Sequence, residues 1–249
     1  MKIDILVPVL GRPQNVARTI KTITENTTLV HRIIFIATKG DDAEIEALRK
    51  AKAKYFVYPH AAGRGDFAKK INWAYPKTKA PWIFQAADDL KFHYGWDLHA
   101  MRIHERQHKG VIGTNDLGNK LVMRGGHSTH TFFSREYIDH YGGTFDDTGI
   151  VFCELYDHQF CDNEFVQTAI RRGQWSFSKR SIVEHLHPVW KKSPLDDTYE
   201  KAFRETKEDT RLYVKRMRIT GRIERRARIE QMQLDREARR AFRESRRAR

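Results

Sequence analysis

Two cysteines, Cys153 and Cys161, are all that the 249 residues contain. They are too few for a disulfide scaffold, and neither belongs to a Cys-x-x-Cys pair of the kind that holds zinc or does redox work. Both are expected as free thiols. Missing too is any apolar run long enough to cross a bilayer, and Met1-Lys2-Ile3-Asp4 opens directly into a strand-like run instead of a secretory signal. A soluble, cytoplasmic protein is the expectation. Acidic residues are also short, 32 Asp and Glu against 46 Lys and Arg, for a formal charge of +14. The imbalance is concentrated: residues 211–249 hold 15 Lys or Arg against 5 Asp or Glu, a net of +10. Such a balance favours a polyanionic partner, nucleic acid above all, or an anionic membrane surface.

What is present suffices for one substantial core, since 40% of the residues are hydrophobic. Ile3 to Val9 is a β-branched run ended by Pro8 and the turn Gly11-Arg12-Pro13, and a helix is expected from about Gln14 to Asn26. The pattern repeats. Ile33 to Thr38 reads as a strand, Gly40-Asp41-Asp42 as a turn and helix start, and Ala43 to Ala53 as a helix. Lys54 to Tyr58 reads as a third strand, followed by Gly63-Arg64-Gly65-Asp66 and a short helix ending near Tyr75. Strands alternating with helices at this spacing predict an α/β fold with a mainly parallel sheet, helices on both faces, and ligands at the carboxyl ends of the strands.

The fourth strand carries the most informative stretch. Trp82-Ile83-Phe84-Gln85-Ala86-Ala87-Asp88-Asp89-Leu90 runs an apolar segment into two adjacent carboxylates. Two acids where a buried strand opens into a crevice call for a cation, and a divalent ion there would give a diphosphate a place to sit. The competing reading is a solvated strand-to-helix turn in which one aspartate serves as an N-cap. Past Asp89 the alternation weakens. Strands are expected at Val111 to Gly113 and Thr129 to Phe133, with the Gly125-Gly126-His127 turn between them. A short helix capped by Ser134 and ended by Gly142-Gly143, a helix from Asn163 to Arg172 closed by Gly173, and a last strand from Trp175 to His185 complete this half. From about Thr198 onward the chain is charged and helix-prone. Its apolar residues Ile219, Ile223, Ile229, Met232, Leu234, Ala238 and Phe242 are too irregularly spaced for a coiled-coil seam.

Taken in order, Pro8-Val9-Leu10-Gly11-Arg12 closing the first strand, the aspartate pair ending the fourth, Cys161-Asp162-Asn163-Glu164-Phe165 leading a helix to Arg172-Gly173, and His185 after the last strand resemble the GT-A glycosyltransferases of the family-2-like branch. The resemblance covers roughly residues 3–190. It implies a GT-A domain over 1–197, with a nucleotide-sugar-binding half to about residue 110 and an acceptor half over 111–197, followed by a basic helical extension over 198–249. It also implies a metal-dependent enzyme that moves a sugar from a nucleotide donor to an acceptor hydroxyl. Departures are visible: the family often carries Asp-x-Asp where this chain has Ala86-Ala87-Asp88-Asp89, and Glu-Asp where it has Cys161-Asp162. Thr38-Lys39-Gly40-Asp41 fits only loosely the acidic contact to the nucleotide base.

On that reading Asp89 binds the metal, and Asp88 accepts from a ribose hydroxyl or holds a metal-bound water. His185 is the further metal ligand, with His187 its rival, because residues two apart share a strand face. Oxygen and imidazole together suit Mn²⁺, with Mg²⁺ the alternative. Asp162 is the candidate general base that takes the acceptor proton, or else a helix cap. Pro8, Arg12, Arg64 and Lys69 are the candidate donor contacts, the three cations lying on a loop or helix start at the rim. His127 and His130 are placed on the acceptor side.

The tail's +10 makes a polyanionic acceptor such as DNA fit, as in bacteriophage enzymes that glycosylate hydroxylated bases; a phage-encoded protein would then work in the host cytoplasm. Two other functions compete. A sugar-1-phosphate nucleotidyltransferase needs a Gly-rich loop after its first strand, and Pro13 removes an amide donor there. A non-catalytic nucleic-acid-binding protein would use its aromatics, but Trp73, Trp82, Trp96, Trp175 and Trp190 are scattered singly, which suits core packing better.

Overall fold

The first β-branched run is extended and buried from Ile3 onward, forming β1 (Lys2–Pro8). The computed structural model describes residues 1–194, 199–200, 206–222 and 225. After β1 the strand–helix alternation is the expected one: α1 (Val16–Asn26), β2 (Val30–Thr38), α2 (Asp42–Lys50), β3 (Tyr55–Tyr58), α3 (Asp66–Ala74) and β4 (Trp82–Gln85). Parallel neighbours need a long crossover, which a helix supplies, and β3, β2, β1 and β4 lie side by side in that sense.

The second half is more mixed. It consists of β5 (Leu90–Phe92), α4 (Trp96–Gln107), β6 (Val111–Asn115), α5 (Lys120–Met123), β7 (Thr131–Ser134), α6 (Arg135–Tyr141), α7 (Cys161–Arg171) and β8 (Trp175–His185). The complete sheet has the order β3-β2-β1-β4-β7-β6-β8-β5. β7 is antiparallel to both β4 and β6, β5 is antiparallel to β8, and β6 and β8 are parallel. Two strands thus run against the other six, and the sheet is mainly parallel.

The run Trp82–Leu90 does not form one strand. The ladder ends where Ala86 N–H donates to Leu6 O at 2.8 Å, and Leu90 opens a new strand paired to β8. Neither β5 nor α4 is anticipated by the sequence reading, because three residues carry almost no periodicity and α4 buries only a narrow face of Trp96, Asp97, Ala100 and Met101. That face closes the core behind the acid pair. Trp96 stacks on Phe132 with centroids 4.8 Å apart and meets Phe84 and Phe92 edge-on at 4.5 and 4.7 Å. Phe84 and Phe92, on β4 and β5, bracket the loop that carries Asp88 and Asp89.

The chain divides into two units, Met1–Asp209 and Thr210–Arg249. Residues 206–222 are helical; the expectations for 198, 201–205, 223–224 and 226–249 lie outside the described residues. Among the described residues no helix is long and apolar enough to cross a membrane.

One buried charge ties the sheet to the segment entering β4. Asp4 is fully buried, and its carboxylate accepts two hydrogen bonds from Arg32 on β2 and one each from the backbone N–H of Lys79 and Ala80. Burial opposes the charged form, but these four donors together outweigh it and hold Asp4 below the ordinary carboxylate range. Its folded value is depressed, so its contribution to stability is present above the unfolded value of about 4 and is lost as pH falls through the folded one. Asp4→Ala strands the Arg32 charge and two amides, and a loss of about 3 kcal/mol is expected in urea unfolding at pH 7. Asp4→Asn should in addition flatten the acid side of the stability profile.

Candidate active site

Parallel strands deliver their carboxyl ends to one rim. Here that rim encloses a cavity of about 560 Å³, lined by Pro8 to Leu10 and Arg12 after β1, Ala87 to Asp89 after β4, and His185 and His187 at and beyond the end of β8. His127 and His130, just before β7, and Asp162, in the first turn of α7, line the same cavity. The structure therefore brings Pro8, Arg12, Asp88, Asp89, Asp162, His185, His127 and His130 together around one space.

The aspartate pair is buried, not a solvated turn: Asp88 is 5% exposed and Asp89 7%. α1 fixes the backbone, with Thr19 Oγ1 and Arg18 Nη2 donating to Asp88 O at 3.0 and 3.1 Å, and Asn15 Nδ2 donates to Asp88 Oδ2 at 3.1 Å. Arg12 Nη1 bridges both acids, 3.3 Å from Asp88 Oδ1 and 3.1 Å from Asp89 Oδ2. Asp89 also accepts from Tyr199 OH, and its Oδ1 lies 3.5 Å from His185 Nε2. Two neighbouring carboxylates respond in opposite directions. Burial, then the charge of Asp89, raises Asp88; Asp89 is buried too, yet His185, Tyr199 and Arg12 hold it far below the usual range.

The histidines divide similarly. Burial disfavours the His185 imidazolium, but the adjoining Asp89 carboxylate prevails and raises it. His187, depressed to about 4 by burial and by His185, uses Nδ1 to accept from Val189 N–H at 3.1 Å. His130 is driven down to about 3 by burial and by His185. Of the two rivals at the end of β8, only His185 has a ring nitrogen within ion-pair distance of Asp89 among the described residues.

Across the cavity, Asp162 does not cap α7, since that position is Phe160 in the left-handed region. Asp162 Oδ2 lies 3.3 Å from His127 Nε2, and its Oδ1 accepts from the Asn163 amide at 2.9 Å. Burial opposes its charge, but the His127 contact more than compensates and Asp162 sits below the usual carboxylate range.

Arg64 and Lys69 stand outside the lining. Arg64 Nε donates to Leu155 O at 3.2 Å and its guanidinium faces Glu208 and Asp209; Lys69 Nζ turns back to Arg64 O at 2.6 Å. The next residue points inward instead. Lys70 is fully buried, donating to Val9 O at 2.8 Å and pairing with Asp66 at 2.6 Å. The sequence reading misses Tyr199 as well, because it falls in a stretch whose composition reads as the start of a charged extension. Its ring lies under Arg12 at 4.9 Å and only 6% of the residue is exposed.

The loop after β1 is built by acids rather than for anions. Gly11 N–H donates to Asp41 Oδ2 at 2.7 Å and Arg12 N–H to Glu44 Oε2 at 2.9 Å. Amides already turned toward carboxylates cannot cradle a triphosphate, which removes the support for a nucleotidyltransferase. Asp41 is the N-cap of α2, so its carboxylate is occupied locally. Among the described residues no cluster of three or more His, Cys, Asp or Glu side chains is arranged to hold a metal ion; at Asp89, Arg12 and Tyr199 share Oδ2.

No family model matches the sequence, and no curated protein matches it. Solved structures do match in fold. S. aureus TarS 1-349 in complex with UDP-GlcNAc superposes with a TM-score of 0.58 at 12% identity, covering 74% of this chain and 57% of that one. The mannosyltransferase PcManGT from Pyrobaculum calidifontis, in complex with GDP-Man and Mn²⁺, gives 0.58 at 13% identity, covering 74% of this chain and 56% of that one. Glucosyl-3-phosphoglycerate synthase from Mycobacterium tuberculosis, in complex with Mn²⁺, UDP and glucosyl-3-phosphoglycerate, gives 0.54 at 14% identity, covering 79% and 74%. This chain thus spans a little over half the length of the first two. The fold is that of the GT-A glycosyltransferases.

The electrostatics of the pair can be checked directly. In Asp89→Asn, burial acts on His185 without the opposing carboxylate, so the His185 midpoint followed by NMR should drop below the ordinary value of about 6.5. The native value is raised, so its stabilising effect is complete below about pH 6.5 and disappears as pH rises through the folded midpoint. The variant should lack that dependence.

Proposed function

We propose that this chain is a metal-dependent glycosyltransferase, moving a sugar from a nucleoside-diphosphate donor to an acceptor hydroxyl in the cavity at the carboxyl ends of β1, β4 and β8. The observation that carries the reading is the pairing of two different polar centres on one cavity: Asp88 and Asp89 with Arg12 and His185 at one end, Asp162 with His127 at the other. A donor diphosphate needs the first and an acceptor hydroxyl needs the second.

The residues present fit a divalent cation. Asp89 Oδ1 is buried without a hydrogen-bond donor among the described residues, and a carboxylate oxygen beside an imidazole is a donor set suited to Mn²⁺, with Mg²⁺ second. Asp89 and His185 would hold it. When bound, the ion supplies positive charge to the departing diphosphate. Arg12 offers a planar guanidinium for phosphate oxygens at the same end, Asp88 would accept from a ribose hydroxyl, and Pro8 would contact the donor from the end of β1. Arg64 and Lys69, turned away, are left out of the donor site. At the acceptor end the basic function belongs to the Asp162 corner, and the acceptor oxygen attacks the anomeric carbon as its proton leaves.

The acceptor is a polyanion on this reading, a hydroxylated base in DNA being the case favoured by the +10 carried on residues 211–249. Backbone phosphates would then be bound through counterion release.

Incubation with Mn²⁺ and a panel of UDP- and GDP-sugars, followed by mass spectrometry, should show one donor bound and slowly hydrolysed. Asp89→Ala should lower that turnover by about 100- to 1,000-fold, and chelation should stop it; turnover indifferent to both sinks the enzyme reading. DNA affinity measured by anisotropy between 50 mM and 200 mM salt should fall by about 1,000-fold or more if six or more phosphates are engaged. A flat salt response, or no DNA binding, removes DNA as the acceptor and leaves the transfer reaction standing.

A further inference from the structure

Asp162 poses a chemical difficulty. A general base works best when its affinity for protons is matched to the working pH, whereas Asp162 is held below the ordinary carboxylate range, burial being outweighed by His127 and by the Asn163 amide. Such a group carries a charge well and accepts a proton poorly. Beside it stands an imidazole. His127 is 5% exposed, lines the cavity, and has Nε2 3.3 Å from Asp162 Oδ2; its other ring nitrogen has no hydrogen-bond partner among the described residues.

We infer that His127 is the catalytic base of this site, with Asp162 as its positioning residue. The inference rests on the glycosyl-transfer reading. Asp162 Oδ2 accepts the Nε2–H of neutral His127, which fixes the tautomer and leaves Nδ1 with its lone pair. As the acceptor oxygen forms its bond to the anomeric carbon, its proton passes to His127 Nδ1. The bond from that carbon to the diphosphate oxygen breaks, with the electron pair leaving on the nucleoside diphosphate. The imidazolium so formed faces the Asp162 carboxylate and later releases its proton to water.

The surroundings hold this pair rigid and leave its charges alone. The next residue, Ser128, is fully buried. Its Oγ accepts from Thr114 N–H at 2.9 Å and lies 2.9 Å from Thr114 O and 2.7 Å from His130 O, so the backbone that carries His127 is pinned to β6. Of the titratable neighbours, His130 is kept neutral by burial and by His185, and the Cys161 thiol is pushed well up by burial and by Asp162. Neither competes for the proton near neutral pH.

The test uses the full chain, ¹⁵N-labelled on histidine, with water as the acceptor and a hydrolysed UDP- or GDP-sugar plus Mn²⁺ as the probe. Long-range ¹H–¹⁵N spectra should show neutral His127 protonated on Nε2. His127→Gln keeps a donor toward Asp162 but cannot take a proton; it should lower donor hydrolysis about 100-fold with nucleoside-diphosphate affinity unchanged. The acid limb of the native pH profile should vanish in the variant. Asp162→Asn should reduce turnover and disturb the tautomer. A proton found on Nδ1, native-like hydrolysis by His127→Gln, or an acid limb that survives in that variant overturns the assignment. If no nucleotide sugar binds the native protein, it is the glycosyl-transfer reading that fails, and the base assignment falls with it.

Discussion

Two adjacent carboxylates removed from water cannot both keep their charge unless positive groups stand against them. Asp88 and Asp89 are such a pair, and much of the first unit is arranged around that requirement. Arg12 reaches from the loop after β1, His185 from the end of β8, and Tyr199 from beyond the last strand, so three distant segments converge on one strand end. α1 and the turn before it contribute too, through Asn15, Arg18 and Thr19. The result is an asymmetry between chemically identical side chains, Asp88 raised and Asp89 lowered.

The same arrangement explains why the site looks closed to a cation although its donors suit one. Arg12 and Tyr199 satisfy Asp89 Oδ2 by charge and hydrogen bonding while leaving Oδ1 without a donor among the described residues. A buried carboxylate in that condition is stable and still has coordinating capacity. The guanidinium that neutralises the acids also has the planar, bidentate geometry that oxyanions take.

At the far side of the cavity a second polar pair is assembled in the same way, from segments distant in the chain. Its members come from the first turn of α7 and the segment before β7, elements that share no local sequence context. Asp162 and His127 come within 3.3 Å, and the antiparallel direction of β7 puts the start of that strand, not its end, at the rim. A sheet parallel throughout would have carried His127 to the opposite edge. The reversal of β7 within a mainly parallel sheet is therefore what brings His127 to the same rim as Asp162.

Periodicity and punctuation made the first half of the fold legible: β-branched runs, the Gly40-Asp41-Asp42 helix start, and the apolar run that breaks into Asp88 and Asp89 are local signals with local causes. The same holds for Ser134 as a cap and for β8, whose ends match the expected Trp175 and His185. Three-residue β5, the narrow buried face of α4 and the partnership of Tyr199 with Asp89 had no such signal, because each is created by a contact between segments far apart in the chain. Candidate residues were readable as types in the right order, and so Asp89, Asp162 and His185 could be named. Which cation faces inward could not: Lys69 and Lys70 are adjacent and alike, and only the direction of α3 against β1 turns one to solvent and buries the other. Sequence determined which chemistry the chain carries, since residue identity fixes charge and donor set; tertiary structure decided which groups meet and in what protonation state, because burial and charge proximity are properties of the packed interior alone.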